Sequence, residues 1–164
     1  MTIVISDTSP INYLVLIGEI SLLPRLYGKV VIPDTVLSEL RDPGSPVPVA
    51  SWAMILPTWI EVVLVSGPGN AALSLDAGEL AAITYAEAAE ADTLLLMDDA
   101  AGRSEASRPG LRTTGTLGVI RVAAQKGLVD LDAALDNLSK TNFYLPARLV
   151  AFLRAEAKTR RPHR

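Results

Sequence analysis

Ile3-Val4-Ile5-Ser6-Asp7-Thr8-Ser9-Pro10 decides the fold class. Ile3 to Ser6 is short, apolar and β-branched, and reads as a buried strand. Asp7 stands where that strand stops. Thr8, Ser9 and Pro10 then open a helix, with a hydroxyl suited to its cap and a proline suited to its first turn. Asp7 is thus predicted at the carboxyl end of a strand and the mouth of a helix, where ligands bind in open α/β sheets. An acid in that place calls for a positive counterpart, either the helix dipole or a metal.

The chain has 164 residues, which suits one domain with one sizeable core. Residues 1–157 read as that domain and residues 158–164 as a basic tail. Hydrophobic residues make up 49%, a globular rather than a disordered composition. No apolar run is long enough to span a membrane. The amino terminus lacks a basic n-region and a small-residue cleavage site, so no signal peptide is expected. The chain has no cysteine, which excludes disulfides and thiolate zinc sites and fits a cytoplasmic location. The single histidine is His163, which argues against a His-dependent triad, a His metal cage or a His general base. Catalysis falls to carboxylates, hydroxyls, Lys or Arg. The net charge of −3 is unevenly spread. Residues 1–100 hold three basic and thirteen acidic side chains, whereas residues 101–164 hold twelve basic and five acidic ones. Such asymmetry fits either a polyanion partner and an acidic cluster, or ordinary surface charge.

Downstream, strands and helices alternate. Ile11 to Ile17 is a largely buried helix, Ile20 to Leu26 a short helical turn, and Lys29 to Ile32 a second strand. Asp34 is the predicted cap of the next helix. Glu39 lies too deep in that helix for a capping box and close to its apolar side, marked by Val36, Leu37 and Leu40. Residues 42–48 form a rigid loop, and a short helix follows. Ile60 to Val65 reads as a third strand and Gly67 to Asn70 as a turn. Asp76 and Glu79 fit a capping box at a helix start. Equally, Glu79 can point toward the acidic edge, with Gly78 leaving room for close approach. Thr93 to Met97 is a fourth strand, ending at Asp98-Asp99. One of these acids can cap a helix from Ala100 onward; the other has no evident structural duty. Adjacent like charges need a cation or an Arg nearby, and Arg103 is the candidate. Leu111 to Thr114 is a fifth strand. Another helix begins at Gly115-Thr116 with Thr114 or Thr116 at its cap, and two amphipathic helices, Leu131 to Leu138 and Pro146 to Lys158, complete the chain.

This alternation predicts an α/β three-layer sandwich around a central, mainly parallel sheet of about five strands. Asp7, Asp98 and Asp99 then share the carboxyl edge, with Glu39 and Glu79 on flanking helices. Carboxylates gathered without His or Cys suit a hard cation, Mg2+ or Mn2+. No GK[ST] or GxGxxG follows any strand, so the cluster points to phosphodiester hydrolysis rather than nucleotide binding. A response-regulator receiver would need a Lys at the end of the fifth strand, and Leu111 to Gly118 has none. A phosphatase using Asp-x-Asp would need an acid where Ser9 stands.

The chain resembles the PIN-domain superfamily of VapC-type toxin ribonucleases, and most closely a prokaryotic branch known mainly as nucleic-acid-binding. The resemblance rests on Ile5 to Pro10, Leu26 to Pro33 with Val36 to Leu40, and Leu75 to Glu79 with Ala82-Ile83. It continues with Leu96 to Asp99 with Arg103, and Thr114 to Val119. These pieces span about residues 3–130 in the family order. The resemblance implies that Asp7, Glu39 and Glu79 are the first three acids of the metal cluster, with either Asp98 or Asp99 as the fourth. Many PIN nucleases carry Asp where this chain has Glu79. Ser9 matches a hydroxyl beside the first acid, and Ser9, Arg103 and Thr116 are the candidate substrate contacts. Arg103, Arg108, Arg112 and the tail are candidates for the phosphate backbone. The implied partners are RNA, a cognate antitoxin protein and a second copy in a homodimer. The alternative is a catalytically silent PIN-like module that binds nucleic acid or protein.

Overall fold

The computed structural model describes residues 2–65, 76–99, 102–103 and 109–160. Its centre is a five-stranded sheet, β1 (Ile3–Ser6), β2 (Val30–Pro33), β3 (Ile60–Val63), β4 (Thr93–Leu96) and β5 (Leu111–Thr114), in the order β3-β2-β1-β4-β5. Every neighbouring pair is parallel. Parallel strands require crossovers, and helices supply them. These are α1 (Thr8–Leu16), α2 (Leu22–Tyr27), α3 (Asp34–Leu40), α4 (Val47–Met54) and α5 (Ala77–Ala88), followed by α6 (Thr116–Gln125), α7 (Leu131–Ser139) and α8 (Ala147–Arg160).

The strands are short and apolar because both faces of the sheet are covered. Val4, Val30, Ile32 and Leu96 pack with Ile11, Leu14, Leu40, Ile120 and Leu135 in the larger core. Their neighbours Ile5, Val31 and Leu95 point the other way, onto Ala82, Ile83 and Ala86 of α5. This alternation makes three layers: many helices, the sheet, and α5. The PIN-like sandwich expected from the sequence is present, and the sheet is wholly parallel. Among the described residues no helix is long and apolar enough to cross a membrane.

The chain moves outward from β1 to β2 to β3, then returns to β4 on the opposite side of β1. The direction of winding therefore reverses between the carboxyl ends of β1 and β4, where a crevice opens. Asp7 follows β1 there, and Asp98-Asp99 follows β4.

Three expected helix caps are corrected. Neither Thr8 nor Ser9 caps α1; Asp7 occupies the cap position, without a side-chain cap bond. Asp34 is the first residue of α3 rather than its cap. Pro33 remains extended to pair with Val63, which moves the helix start by one residue, and Asp34 Oδ1 instead accepts from Val65 N at 3.2 Å. Gly115 caps α6 in place of Thr114 or Thr116, whose side chains make no cap bond. The tail is also helical through Arg160. The turn at 67–70, the helix from Ala100, Arg108 and residues 161–164 lie outside the described residues.

Candidate active site

Asp7 is placed by backbone pairing. Its N–H donates to the Leu96 carbonyl at 2.9 Å, fastening the end of β1 to the end of β4. The residue is only 4% exposed. Glu39 comes from α3, which packs against α1 and α5. Thr8 Oγ1 donates to Glu39 Oε2. Gly78 N donates to Glu39 Oε1 at 2.9 Å. A Cβ on Gly78 would stand 2.5 Å from Glu39 Oε2, so α5 can start this close to Glu39 only with glycine there. Asp76 caps α5 by accepting from Glu79 N at 2.8 Å. Asp7, Glu39 and Asp76 each bring one carboxylate oxygen within 4.8 Å of the others.

The second acid pair approaches from β4. Asp98 accepts from Thr116 N at 2.6 Å and from Thr116 Oγ1 at 2.7 Å. A Cβ on Gly115 would lie 2.6 Å from Asp98 Oδ1, so a second glycine makes room for an acid. Asp99 Oδ1 accepts from Gly102 N at 3.0 Å. Both acids therefore have a structural duty, which corrects the expectation that one had none. Asp98 is tied to α6, and Asp99 accepts from the amide three residues on, as a helix-capping acid does. Arg103 does not neutralise them. It is exposed, and no ion pair joins it to either acid among the described residues. Arg112 pairs with Asp92, just before β4, and so lies toward the opposite edge of the sheet. Ser9 is half-buried at the crevice, whereas Thr116 is fully buried with its hydroxyl committed to Asp98.

The acids, with Thr8 and Ser9, line a cleft of about 660 Å³, and Thr116 and Arg103 are not part of its lining. Asp7, Glu39, Asp76, Glu79, Asp98 and Asp99 all face it, and among the described residues no Lys or Arg does. Burial, then the charges of Asp76, Glu39 and Asp98, push the Asp7 carboxyl up to about 7 against the opposing pull of the Thr8 backbone N–H. Burial, then hydrogen bonding and charge from Asp76, then the charges of Asp7 and Asp99, push Glu79 up to about 8. Asp7 Oδ1 and Glu79 Oε2 are buried without a hydrogen-bond partner among the described residues. Orphaned carboxylate oxygens are costly in a protein interior. A hard divalent cation satisfies oxygens of this kind and removes the mutual repulsion, and the donor set consists only of the oxygens it prefers. The residues present fit such an ion.

Asp76 was legible in the sequence only as a helix cap. It does cap α5, and it also stands beside Asp7 and Glu39. The sequence signal available was its spacing to Glu79, which the cap alone explains. Tyr13, Asn142, Phe143 and Tyr144 also line the cleft, and nothing in the local pattern marks them.

No curated protein and no solved structure gave a match to this chain. A family model described as a PIN domain matches residues 3–159, nearly the whole length. PIN domains are generally metal-dependent nucleases that act on nucleic acids. With the parallel sheet, the acids at its switch point and this match together, the chain belongs to the PIN-domain family.

Proposed function

We propose that this protein is an Mg2+- or Mn2+-dependent endoribonuclease that hydrolyses RNA phosphodiester bonds. The observation that carries this reading is a pair of buried oxygens, Asp7 Oδ1 and Glu79 Oε2, without partners among the described residues, in a cleft of six carboxylates that no described basic residue lines. Asp7, Glu39 and Glu79, joined by Asp76, would hold the cation, with Asp98 and Asp99 completing the acidic ring. When bound, such an ion lowers the pKa of water and offsets charge on a transferring phosphoryl group. The protein's own residues act around it. Thr8 and Gly78 fix the Glu39 carboxylate, and Thr116 fixes Asp98. Ser9 offers a hydroxyl at the mouth of the cleft. The acids alone repel a phosphodiester, which makes activity strictly dependent on added cation.

The finer reading is the toxin of a toxin–antitoxin pair, working in the cytoplasm as a homodimer, with an antitoxin covering the acidic edge. A second reading is a silent nucleic-acid-binding or protein-interaction module. It is favoured by one observation: both oxygens of Glu39 and both of Asp98 already accept hydrogen bonds from the protein.

Purified protein incubated with a mixed RNA pool tests the choice, with magnesium, manganese or EDTA and beside an Asp7→Asn control. Cleavage that needs metal and is lost in the variant is expected. A folded protein that binds RNA yet cleaves none with any metal would move the assignment to the silent module.

A further inference from the structure

The chain has two Trp, four Tyr and two Phe. Three of these few aromatics, Tyr13, Phe143 and Tyr144, line the acid cleft. Tyr13 and Phe143 meet edge to face, with centroids 4.9 Å apart. Tyr13 Oη donates to Asn142 Oδ1 at 2.8 Å, so the Asn142 amide group keeps its N–H donors. The loop between α7 and α8 is pinned at its start, where Thr141 Oγ1 donates to the Leu138 carbonyl and accepts from Phe143 N. Phe143 is packed against the core, and Tyr144 beside it is turned out, 81% exposed. Phe152 is the other strongly exposed aromatic, but Arg121 lies over its ring. No ring or cation is stacked on Tyr144 among the described residues. The wall stands within electrostatic reach of the acids, since Asp98 adds to burial in holding the Tyr13 hydroxyl above its ordinary value.

One wall of the cleft therefore carries charge and the other carries an open aromatic face with amide groups. Among the described residues no basic side chain lines the cleft to grip a phosphate backbone. Affinity on the uncharged wall has to come from contacts that do not need cations. Base–aromatic stacking is such a contact, and it tolerates any base because each has a π-face. A base inside a duplex has both faces covered, so only an unpaired base can use it.

We propose that Tyr144, on the platform formed by Tyr13, Asn142 and Phe143, is a nucleobase subsite that stacks one unpaired base of a single-stranded RNA beside the carboxylates. This rests on the nuclease reading for the chemistry at the acids, but not for the binding itself. The subsite selects a single strand over a duplex. Tyr144 is a positioning residue, and Asn142 is placed to donate a hydrogen bond to the base edge.

The probe is a single-stranded phosphorothioate RNA, slow to hydrolyse and carrying 2-aminopurine, titrated into the full protein with magnesium. Stacking quenches the 2-aminopurine fluorescence. Wild type and Tyr144→Phe are expected to quench it, and Tyr144→Ala to bind about tenfold more weakly with the quench lost. A duplex of the same sequence is expected to bind more weakly than the single strand. If cleavage is observed, Tyr144→Ala should raise KM far more than it lowers kcat. No quench on wild type, equal binding of Tyr144→Ala, or equal binding of duplex would overturn the subsite, even where metal-dependent cleavage persists. A Tyr144→Ala effect on oligomeric state alone, with RNA binding intact, would overturn it in favour of a protein contact. Tyr144-dependent quenching by a protein that never cleaves would uphold the subsite while the nuclease reading fails.

Discussion

Glu39 accepts from Thr8 Oγ1 and from Gly78 N, so its carboxylate is locked before any cation arrives. Glu39→Gln keeps the shape but loses a charge and one acceptor. Cleavage of the RNA pool is expected to fall about 100-fold or more, with the thermal midpoint reduced by less than about 5 °C. Unchanged cleavage would remove Glu39 from the site. Asp7 pulls the other way. Its carboxyl is buried among like charges, and without metal at about pH 8 it is destabilising when ionised. Asp7→Asn is therefore expected to raise the midpoint of the chelated protein by about 2–8 °C while abolishing cleavage. Calorimetry in EDTA checks this, and a lower midpoint for the variant would contradict it. Gly78 makes a third residue-scale case, because an added Cβ would strike the Glu39 carboxylate at 2.5 Å. Gly78→Ala should cost about 1–3 kcal/mol and displace Glu39, lowering activity with it; denaturant unfolding reads the first effect and the RNA assay the second.

At the scale of elements, α6 is hung from the end of β4 by Thr116. Its N–H and hydroxyl both reach Asp98, while Gly115 lets the helix start come close. The same bonds that orient the acid also stitch α6 to the sheet. Thr116→Val removes the hydroxyl and leaves Asp98 Oδ2 without that donor. A loss of about 1–3 kcal/mol in unfolding free energy is expected, with weaker metal binding by titration calorimetry. Thr116→Ser, which keeps the hydroxyl, should recover most of both. α3 and α5 are held in the same way: Glu39 on one accepts from the first turn of the other. Acid and element position are thus coupled at both sides of the crevice.

The whole molecule carries the sum of these charges. Asp7 is raised from 3.8 to about 7 and Glu79 from 4.5 to about 8, so the folded, metal-free protein holds protons that the unfolded chain has released. Their contribution to stability is fully present below about pH 4 and is lost as pH rises through about 7 and about 8. The midpoint of the chelated protein should fall between about pH 5 and about pH 9 by several degrees. Magnesium should remove that fall, because binding competes with the protons and strengthens as pH rises. Thermal unfolding across pH, with EDTA and with magnesium, measures both; parallel curves would mean that no cation binds these acids.

Much of the molecule is legible in its sequence. β1 and β5 lie where β-branched residues run together, and β2, β3 and β4 shift or shorten by only a few residues. The parallel sheet follows from strands alternating with helices, since only crossovers connect parallel neighbours. Asp7, Glu39, Glu79, Asp98 and Asp99 were named from their places at strand ends and on helices, and all line one cleft. The caps of α1, α3 and α6 were misread because a Ser, Thr or Asp at a helix start is locally indistinguishable whether its oxygen turns back to the helix or away. The Thr8 and Thr116 hydroxyls turn away, to acids 31 and 18 residues distant. Asp76 joining Asp7 and Glu39, and Tyr144 facing the same cleft, depend on elements meeting across the sheet edge. Periodicity and capping rules act over a few residues, whereas the topology brings together acids far apart in the chain. The sequence by itself therefore determined which residues could serve, and the tertiary structure alone decided which of them share a space and which of their oxygens remain unpaired.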